Sequence, residues 1–186
     1  MLGLALTLLS KHSRSEASVV DTTIKTLNTW FNEPTQGGDR PKLLSKLALL
    51  ELCGWIEGEF DRLAMIVEAG RLNDAAWVSE YVISRTSGFA YAEHWRPMLA
   101  RLVGEVFARR IEQQMEELFP GELDQLKSIL GALWKKRCSF AHADMTANIA
   151  AQQTFDAPSW TLNQHRIVKK LLGHYEQVIE QVLAGV

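Results

Sequence analysis

The sequence predicts an all-α protein, and three observations carry that prediction. Apolar residues recur at spacings of three and four through most of the 186-residue chain, as amphipathic helices require. No segment sustains the alternation of apolar and polar residues that is typical of a half-buried strand. The chain has 5 prolines and 12 glycines, too few for the many tight turns of an all-β protein. We therefore expect a helical bundle with almost no sheet.

The first half of the chain predicts a short helix, a loop and a long central helix. Apolar spacing predicts the short helix over residues 18–31, and a following proline ends it. Residues 35–39 are rich in turn formers and predict the loop. Asp39, with a proline two residues later, is typical of a helix N-cap. Apolar residues cover most of the circumference of the next helix, residues 41–69, so we expect it at the centre, with Gly70 as its C-cap.

The second half of the chain predicts a short helix, a broken segment and three longer helices. An Asn-Asp pair opens the short helix, and a Phe-Pro-Gly sequence stops the most regularly amphipathic of the longer ones. A polar segment precedes the last helix. The expected bounds are residues 73–83 for the short helix, 84–95 for the broken segment, and 98–118, 122–137 and 162–183 for the longer helices.

Composition and charge favour a soluble, cytoplasmic protein. We expect residues 1–40 to form an N-terminal helical extension that packs on a main domain of residues 41–186. The apolar start of the chain is only about nine residues long, far short of the roughly 20 that span a bilayer, so no membrane contact is expected. A formal net charge of −2 provides no overall field for nucleic acid, so a polyanion site must be a local patch. Two cysteines cannot make a disulfide framework.

Most motifs that carry catalysis are missing from the sequence. It contains no glycine-rich phosphate loop after a strand, no H-E-x-x-H and no G-x-S-x-G. The five histidines and two cysteines show no spacing typical of metal ligands. We therefore expect neither a metal nor another cofactor.

One polar cluster stands apart, at residues 133–144 (LWKKRCSFAHAD). A guanidinium binds phosphate bidentately, and a histidine moves protons near neutral pH, so Arg137 and His142 suit phosphodiester cleavage. On an uninterrupted helix these two residues would point about 140° apart. They share a site only if the helix bends or ends between them, or if another subunit completes the site. The alternative is that the cations complement the helix dipole and that the histidine is a helix cap or a surface residue.

The segment RCSFAH, residues 137–142, resembles the R-x4-H motif of the HEPN superfamily of small all-α domains. The setting is also similar, with an apolar helix that ends in cations, an Ala-His step, and a long early helix carrying LELCGWIE at residues 50–57. The resemblance covers about residues 41–183. It implies a metal-independent endoribonuclease that cleaves RNA by transesterification, as a toxin or antiviral defence effector. It also implies a homodimer with two motifs facing one cleft, and an antitoxin or other regulatory protein as a possible partner.

The resemblance assigns roles to two residues and leaves others in question. His142 would be the general acid and base, and Arg137 would hold the scissile phosphate. Cys138 occupies a position where active members often have Asn, Asp or His, and a thiol is a weak hydrogen bonder. Either Ser139 substitutes for that group or the activity is weakened. Asp144 replaces the tyrosine that is typical of HEPN partners of nucleotidyltransferases, which argues against that pairing.

Further residues are weaker candidates for the site. Either Glu51 or Glu57 is a candidate to orient Arg137 from the long helix, and a carboxylate without a role on the helix surface is an alternative with at least as much weight. Four cations are candidate RNA contacts, with solvated helix faces as the alternative: Lys135, Lys136, Arg109 and Arg110. The rival function is a non-catalytic HEPN-like module that binds RNA or a protein partner. Cys138 and the lack of overall basic charge favour that rival.

Overall fold

The computed structural model describes residues 19–34, 38–141 and 155–185, which are helical throughout apart from short connections and contain no strand. The all-α prediction is therefore confirmed. No helix in these ranges has the length and apolar character needed to cross a membrane. The described α-helices are α1 (19–31), α2 (Arg40–Val67), α3 (Ala75–Trp77), α4 (Arg96–Val103), α5 (Glu105–Leu118), α6 (Glu122–Ala141) and α7 (Pro158–Ala184). Three π-helical turns accompany them, at Glu68–Leu72, Val78–Ile83 and Tyr91–Trp95.

Helix α2 is central, as its sequence predicts. It packs against α7, α6 and α4, and it buries apolar side chains such as Leu52, Ile56 and Leu63 completely. Ile24 and Leu27 of α1 belong to the same apolar core. Residues 1–18 of the expected N-terminal extension lie outside the described residues, and the domain boundary at residue 40 stays a prediction.

Helix α2 begins at the expected N-cap residue, Asp39, with a proline in its first turn, but its other end differs from the prediction. The Asp39 carboxylate pairs with Lys42 at 3.0 Å and makes no side-chain capping bond to the helix. At the other end the helix passes into the first π-helical turn and stops at Asn73, whose φ of 53° lies in the left-handed region that asparagine tolerates. Gly70 is therefore not the C-cap. A Cβ there would lie 3.1 Å from Cδ1 of Leu183, so the glycine allows close packing on α7.

The expected single helix over residues 98–118 is two helices. Gly104 has φ of +81°, which an α-helix cannot contain, and it separates α4 from α5. The apolar period continues across the break because both helices bury one face, with Leu99 before it and Ile111 after it. The short helix that opens at Asp74 is confirmed, since the Asp74 carboxylate accepts a hydrogen bond from the Trp77 backbone N–H at 3.0 Å.

Helices α6 and α7 are both longer than the sequence indicates. Helix α6 continues one turn beyond Arg137, to Ala141, so the expected end at the three cations is wrong. The buried ring of Phe140 stacks on Phe155 at 4.8 Å, which holds this extra turn against the start of α7. Helix α7 begins at Pro158, a residue suited to the first turn of a helix. The polar segment of residues 142–154 lies outside the described residues.

His165 of α7 is buried where α7 meets α1 and α2. Its ring packs edge-on against Trp55 with centroids 4.5 Å apart, and its Nδ1 lies 4.0 Å from a carboxylate oxygen of Asp21. Neither ring nitrogen has a hydrogen-bond partner among the described residues. Burial, the main cause, lowers the pKa of His165 to about 4, with smaller contributions from neighbouring cations.

We expect His165 to make the protein less stable in acid. The histidine is neutral in both states above its unfolded pKa of about 6.5. Between about pH 6.5 and pH 4 the unfolded chain takes up a proton and the folded protein does not, so the free energy of unfolding falls by about 3 kcal/mol. Urea unfolding across this pH range should show a smaller fall in the free energy of unfolding for His165→Leu than for the wild type. An equal fall in the free energy of unfolding for the two proteins would contradict the assignment of this pH dependence to His165.

Candidate functional site

Arg137 reaches from α6 across to α2. Its guanidinium lies 3.5 Å from Oε1 of Glu57, and its central carbon lies 5.1 Å from the centroid of the Trp134 ring. The side chain is 34% exposed. A partly exposed ion pair of this kind contributes less than about 1 kcal/mol, so a phosphate can replace the carboxylate at little cost. Of the two carboxylates that the sequence suggested for this role, Glu57 is the one paired with Arg137.

The Trp134 ring beneath Arg137 is fixed by its neighbours. His94 and Phe89 both pack edge-on against it, with ring centroids 4.7 and 5.4 Å away. Gly88 closes the cluster with φ of +126°, and a Cβ there would lie 2.8 Å from Trp134 and 2.6 Å from His94. Only glycine fits this position. Trp134 therefore holds a defined orientation, and the guanidinium above it is positioned with it.

A small cavity of about 180 Å³ opens beside Glu57. Thr86, Ser87 and Gly88 line one part of it, and Glu57 with Asp61 lines another. Burial and the nearby Glu57 charge raise the pKa of Asp61 to about 6. A carboxyl group that titrates near neutrality therefore lies one helical turn from the residue that pairs with Arg137. The sequence analysis missed Asp61, whose signal was its four-residue spacing from Glu57 on one face of α2.

The two residues that follow Arg137 differ in their surroundings. Cys138 is half-buried and lines a groove of about 350 Å³, together with Lys135 and Trp134. Ser139 is exposed. Nearby, Cys53 of α2 is buried, and burial raises the pKa of its thiol to about 12, so it stays protonated. Cys53 is therefore not placed as a reactive thiolate by this geometry.

The four candidate RNA-contacting cations differ in their surroundings. Lys135 is exposed, whereas Lys136 pairs with Asp156 and lies 4.9 Å from the Trp160 ring centroid. Arg109 pairs with Glu105 at 2.8 Å on the same helix, and Arg110 is exposed beside it. Lys135 and Lys136 share α6 with Arg137, while Arg109 and Arg110 lie on α5.

His142 and Asp144 lie outside the described residues. Helix α6 contains all four positions after Arg137, so its direction is set up to Ala141. Continued helix would point Arg137 and His142 about 140° apart. A shared site therefore requires a change of direction after Ala141 or a second subunit. Within residues 19–34, 38–141 and 155–185, no three His, Cys, Asp or Glu side chains are grouped to hold a metal ion.

Comparisons of the chain with protein-family models, with curated proteins and with solved structures found no match in any of the three. The resemblance to HEPN domains stays an interpretation of particular residues. These are Arg137, its spacing in sequence to His142 and the helix that carries Arg137.

Proposed function

We propose that the protein is a metal-independent endoribonuclease of the HEPN type, a toxin or antiviral defence effector that cleaves RNA by transesterification. The observation that carries the proposal is the position of Arg137. Its guanidinium is partly exposed, is held between Glu57 and Trp134, and precedes a histidine by five residues.

Arg137 binds and neutralises the scissile phosphate. Its planar fork matches two phosphate oxygens, and such charge-assisted pairs are stronger than a neutral hydrogen bond. Trp134 supports the guanidinium plane on one side at 5.1 Å. Glu57 holds the group before substrate arrives, at a distance of 3.5 Å that leaves the pair weak enough to exchange.

His142 transfers the protons. The 2′-oxygen attacks phosphorus and the 5′-oxygen leaves, which yields a 2′,3′-cyclic phosphate and a 5′-hydroxyl. One imidazole accepts the 2′-hydroxyl proton, and a second donor protonates the leaving oxygen. A homodimer with both motifs at one cleft supplies two histidines for these steps. The nucleophile is part of the substrate, so this reaction needs no metal-bound water.

A second candidate function is a non-catalytic helical module that binds RNA or a protein. The observation that favours it is that two of the three consecutive cations of α6 are already paired within the chain. Glu57 pairs with Arg137, and Asp156 pairs with Lys136. Cys138, at the position where active HEPN members often have Asn, Asp or His, also favours the non-catalytic module.

Cleavage by a His142→Ala variant separates these two functions. Wild-type protein is expected to cleave end-labelled single-stranded RNA and tRNA in excess EDTA, whereas His142→Ala should not, because it has no group to move the protons. Thermal unfolding should be nearly unchanged. His174→Ala is the matched control, since His174 contacts Phe119 and Glu122, and Glu122 lies at the start of α6, fifteen residues before Arg137. Cleavage by His142→Ala at the wild-type rate would exclude the proposed mechanism. RNA binding without cleavage by either protein would favour the module.

A further inference from the structure

Three planar groups stack on the surface of the segment after α2. Trp77 and Tyr81 are 40% and 43% exposed, and their ring centroids are 6.4 Å apart with an angle of 24° between the planes. The exposed guanidinium of Arg85 lies 5.0 Å from the centroid of the Tyr81 ring. We name these three residues the stacking ladder. They recur every four residues, with Trp77 in α3, Tyr81 in the π-helical turn Val78–Ile83 and Arg85 two residues after that turn.

The ladder is held on a rigid element. Val78 and Val82, each one residue after a ladder ring, are fully buried in the core. The Asp74 carboxylate fixes the start of the segment by accepting the Trp77 backbone N–H at 3.0 Å. The rings are therefore exposed because their neighbours are anchored. Adjacent exposed apolar groups on a well-packed element are typical of an interaction surface.

The chemistry of the ladder suits a nucleic acid strand. Bases stack on exposed aromatic rings whatever their sequence, and arginine adds both a cation and a planar face. Arg71, on the preceding π-helical turn, adds a second exposed guanidinium, which lies over the ring of Phe107 at 3.8 Å. Glu80 is the exposed acid within Val78–Ile83, and it would repel phosphate.

The residues that follow the stacking ladder in sequence lie at the candidate site. Arg85 is followed directly by Thr86 and Ser87, which line the cavity shared with Glu57. The Glu57 carboxylate lies 3.5 Å from Arg137. Residues 85–88 thus connect the ladder to the surface that carries Arg137.

We propose that Trp77, Tyr81 and Arg85 form a base-stacking subsite for single-stranded RNA, which positions a strand whose phosphate is held at Arg137. The identity of this strand rests on the proposed function. Stacking does not read the 2′-hydroxyl, so single-stranded DNA binds the same subsite. Transesterification needs a 2′-hydroxyl, so DNA is not cleaved, and binding at the ladder is measurable without catalysis.

The test is the affinity of the wild-type protein and its variants for fluorescein-labelled oligothymidine, by fluorescence anisotropy at one fixed ionic strength. Loss of one stacked base weakens binding by about 5-fold to 100-fold, so Trp77→Ala and Tyr81→Ala should each raise Kd by that factor. Trp77→Phe should retain most of the affinity. Glu80→Gln should lower Kd, because it removes a repulsive charge. Trp30→Ala, a change at another exposed tryptophan, is the matched control.

Several outcomes would overturn the subsite. These are an unchanged Kd in Trp77→Ala and Tyr81→Ala, equal loss in Trp30→Ala, or no binding of oligothymidine by the wild type. A fall in molecular mass of Trp77→Ala by light scattering, with DNA affinity intact, would assign the ladder to a protein interface instead. RNA cleavage is assayed separately. If the wild type cleaves RNA but Trp77→Ala and Tyr81→Ala leave the Kd for oligothymidine unchanged, the subsite alone is contradicted. If those variants raise the Kd but the wild type does not cleave RNA, the ribonuclease proposal alone is contradicted.

Discussion

Replacement of Arg137 by alanine is expected to slow RNA cleavage by about 10²–10³-fold, as loss of one donor to a developing transition-state charge does. The alanine leaves phosphate neutralisation to groups that lack the bidentate fork. Arg137→Lys should recover part of the rate, because it restores the charge without the planar geometry. The measurement is the single-turnover cleavage rate in excess EDTA, with protein in excess over labelled RNA.

The expected effect of Arg137→Ala on folding is small. Its ion pair with Glu57 is about one-third exposed on both sides, so its loss should lower the free energy of unfolding by less than about 1 kcal/mol. Arg101→Ala, at an exposed arginine of α4, is the matched control and should cleave at the wild-type rate. A rate for Arg137→Ala within twofold of the wild type would remove Arg137 from the mechanism.

Replacement of Arg62 by alanine is expected to destabilise the fold by about 3–5 kcal/mol. Arg62 is a buried cation of α2 that joins two helices. It donates to Glu59 at 3.0 Å within α2, and it binds both carboxylate oxygens of Glu176 on α7 at 2.8 and 2.7 Å. Its removal leaves the Glu59 charge buried without its guanidinium. Urea unfolding at neutral pH measures the effect.

Two comparisons test this explanation of the Arg62 effect. The triple variant Glu59→Gln, Arg62→Met, Glu176→Gln should be more stable than Arg62→Ala, because it removes both carboxylate charges together with the guanidinium. Lys127→Ala breaks an exposed pair with Asp124 and should change the free energy of unfolding by less than about 1 kcal/mol. If Arg62→Ala were as stable as Lys127→Ala, the buried cluster would not be a stabilising contact.

Helix positions were largely predictable from sequence, whereas several helix ends were not. Apolar periodicity located every described α-helix because burial of one face imposes it locally. The break at Gly104 was hidden because the period continues across it, and its positive φ depends on how α4 and α5 pack. The extra turn of α6 depends on the stacking of Phe140 on Phe155, fifteen residues further along the chain. Contacts of that kind leave no local pattern.

The candidate site was likewise predictable in part from the sequence. A short motif was enough to select Arg137, and helix position was enough to suggest Glu51 or Glu57 as its neighbour, but not to choose between them. The packing of Gly88 and His94 on Trp134 joins two distant segments, whereas the sequence predicted only a broken segment over residues 84–95. The raised pKa of Asp61 likewise depends on burial, which a lone aspartate in a sequence does not reveal.

The chemical nature of the RNA ends tests the ribonuclease proposal most directly. Wild-type protein and His142→Ala are incubated in excess EDTA with an RNA and with the same RNA carrying one 2′-deoxynucleotide at the cleaved position. We predict 2′,3′-cyclic phosphate and 5′-hydroxyl ends from the wild type, and no cleavage of the deoxy-substituted position or by the variant. Ends with 3′-hydroxyl and 5′-phosphate, or intact RNA after incubation with the wild type, would contradict cleavage by Arg137 and His142.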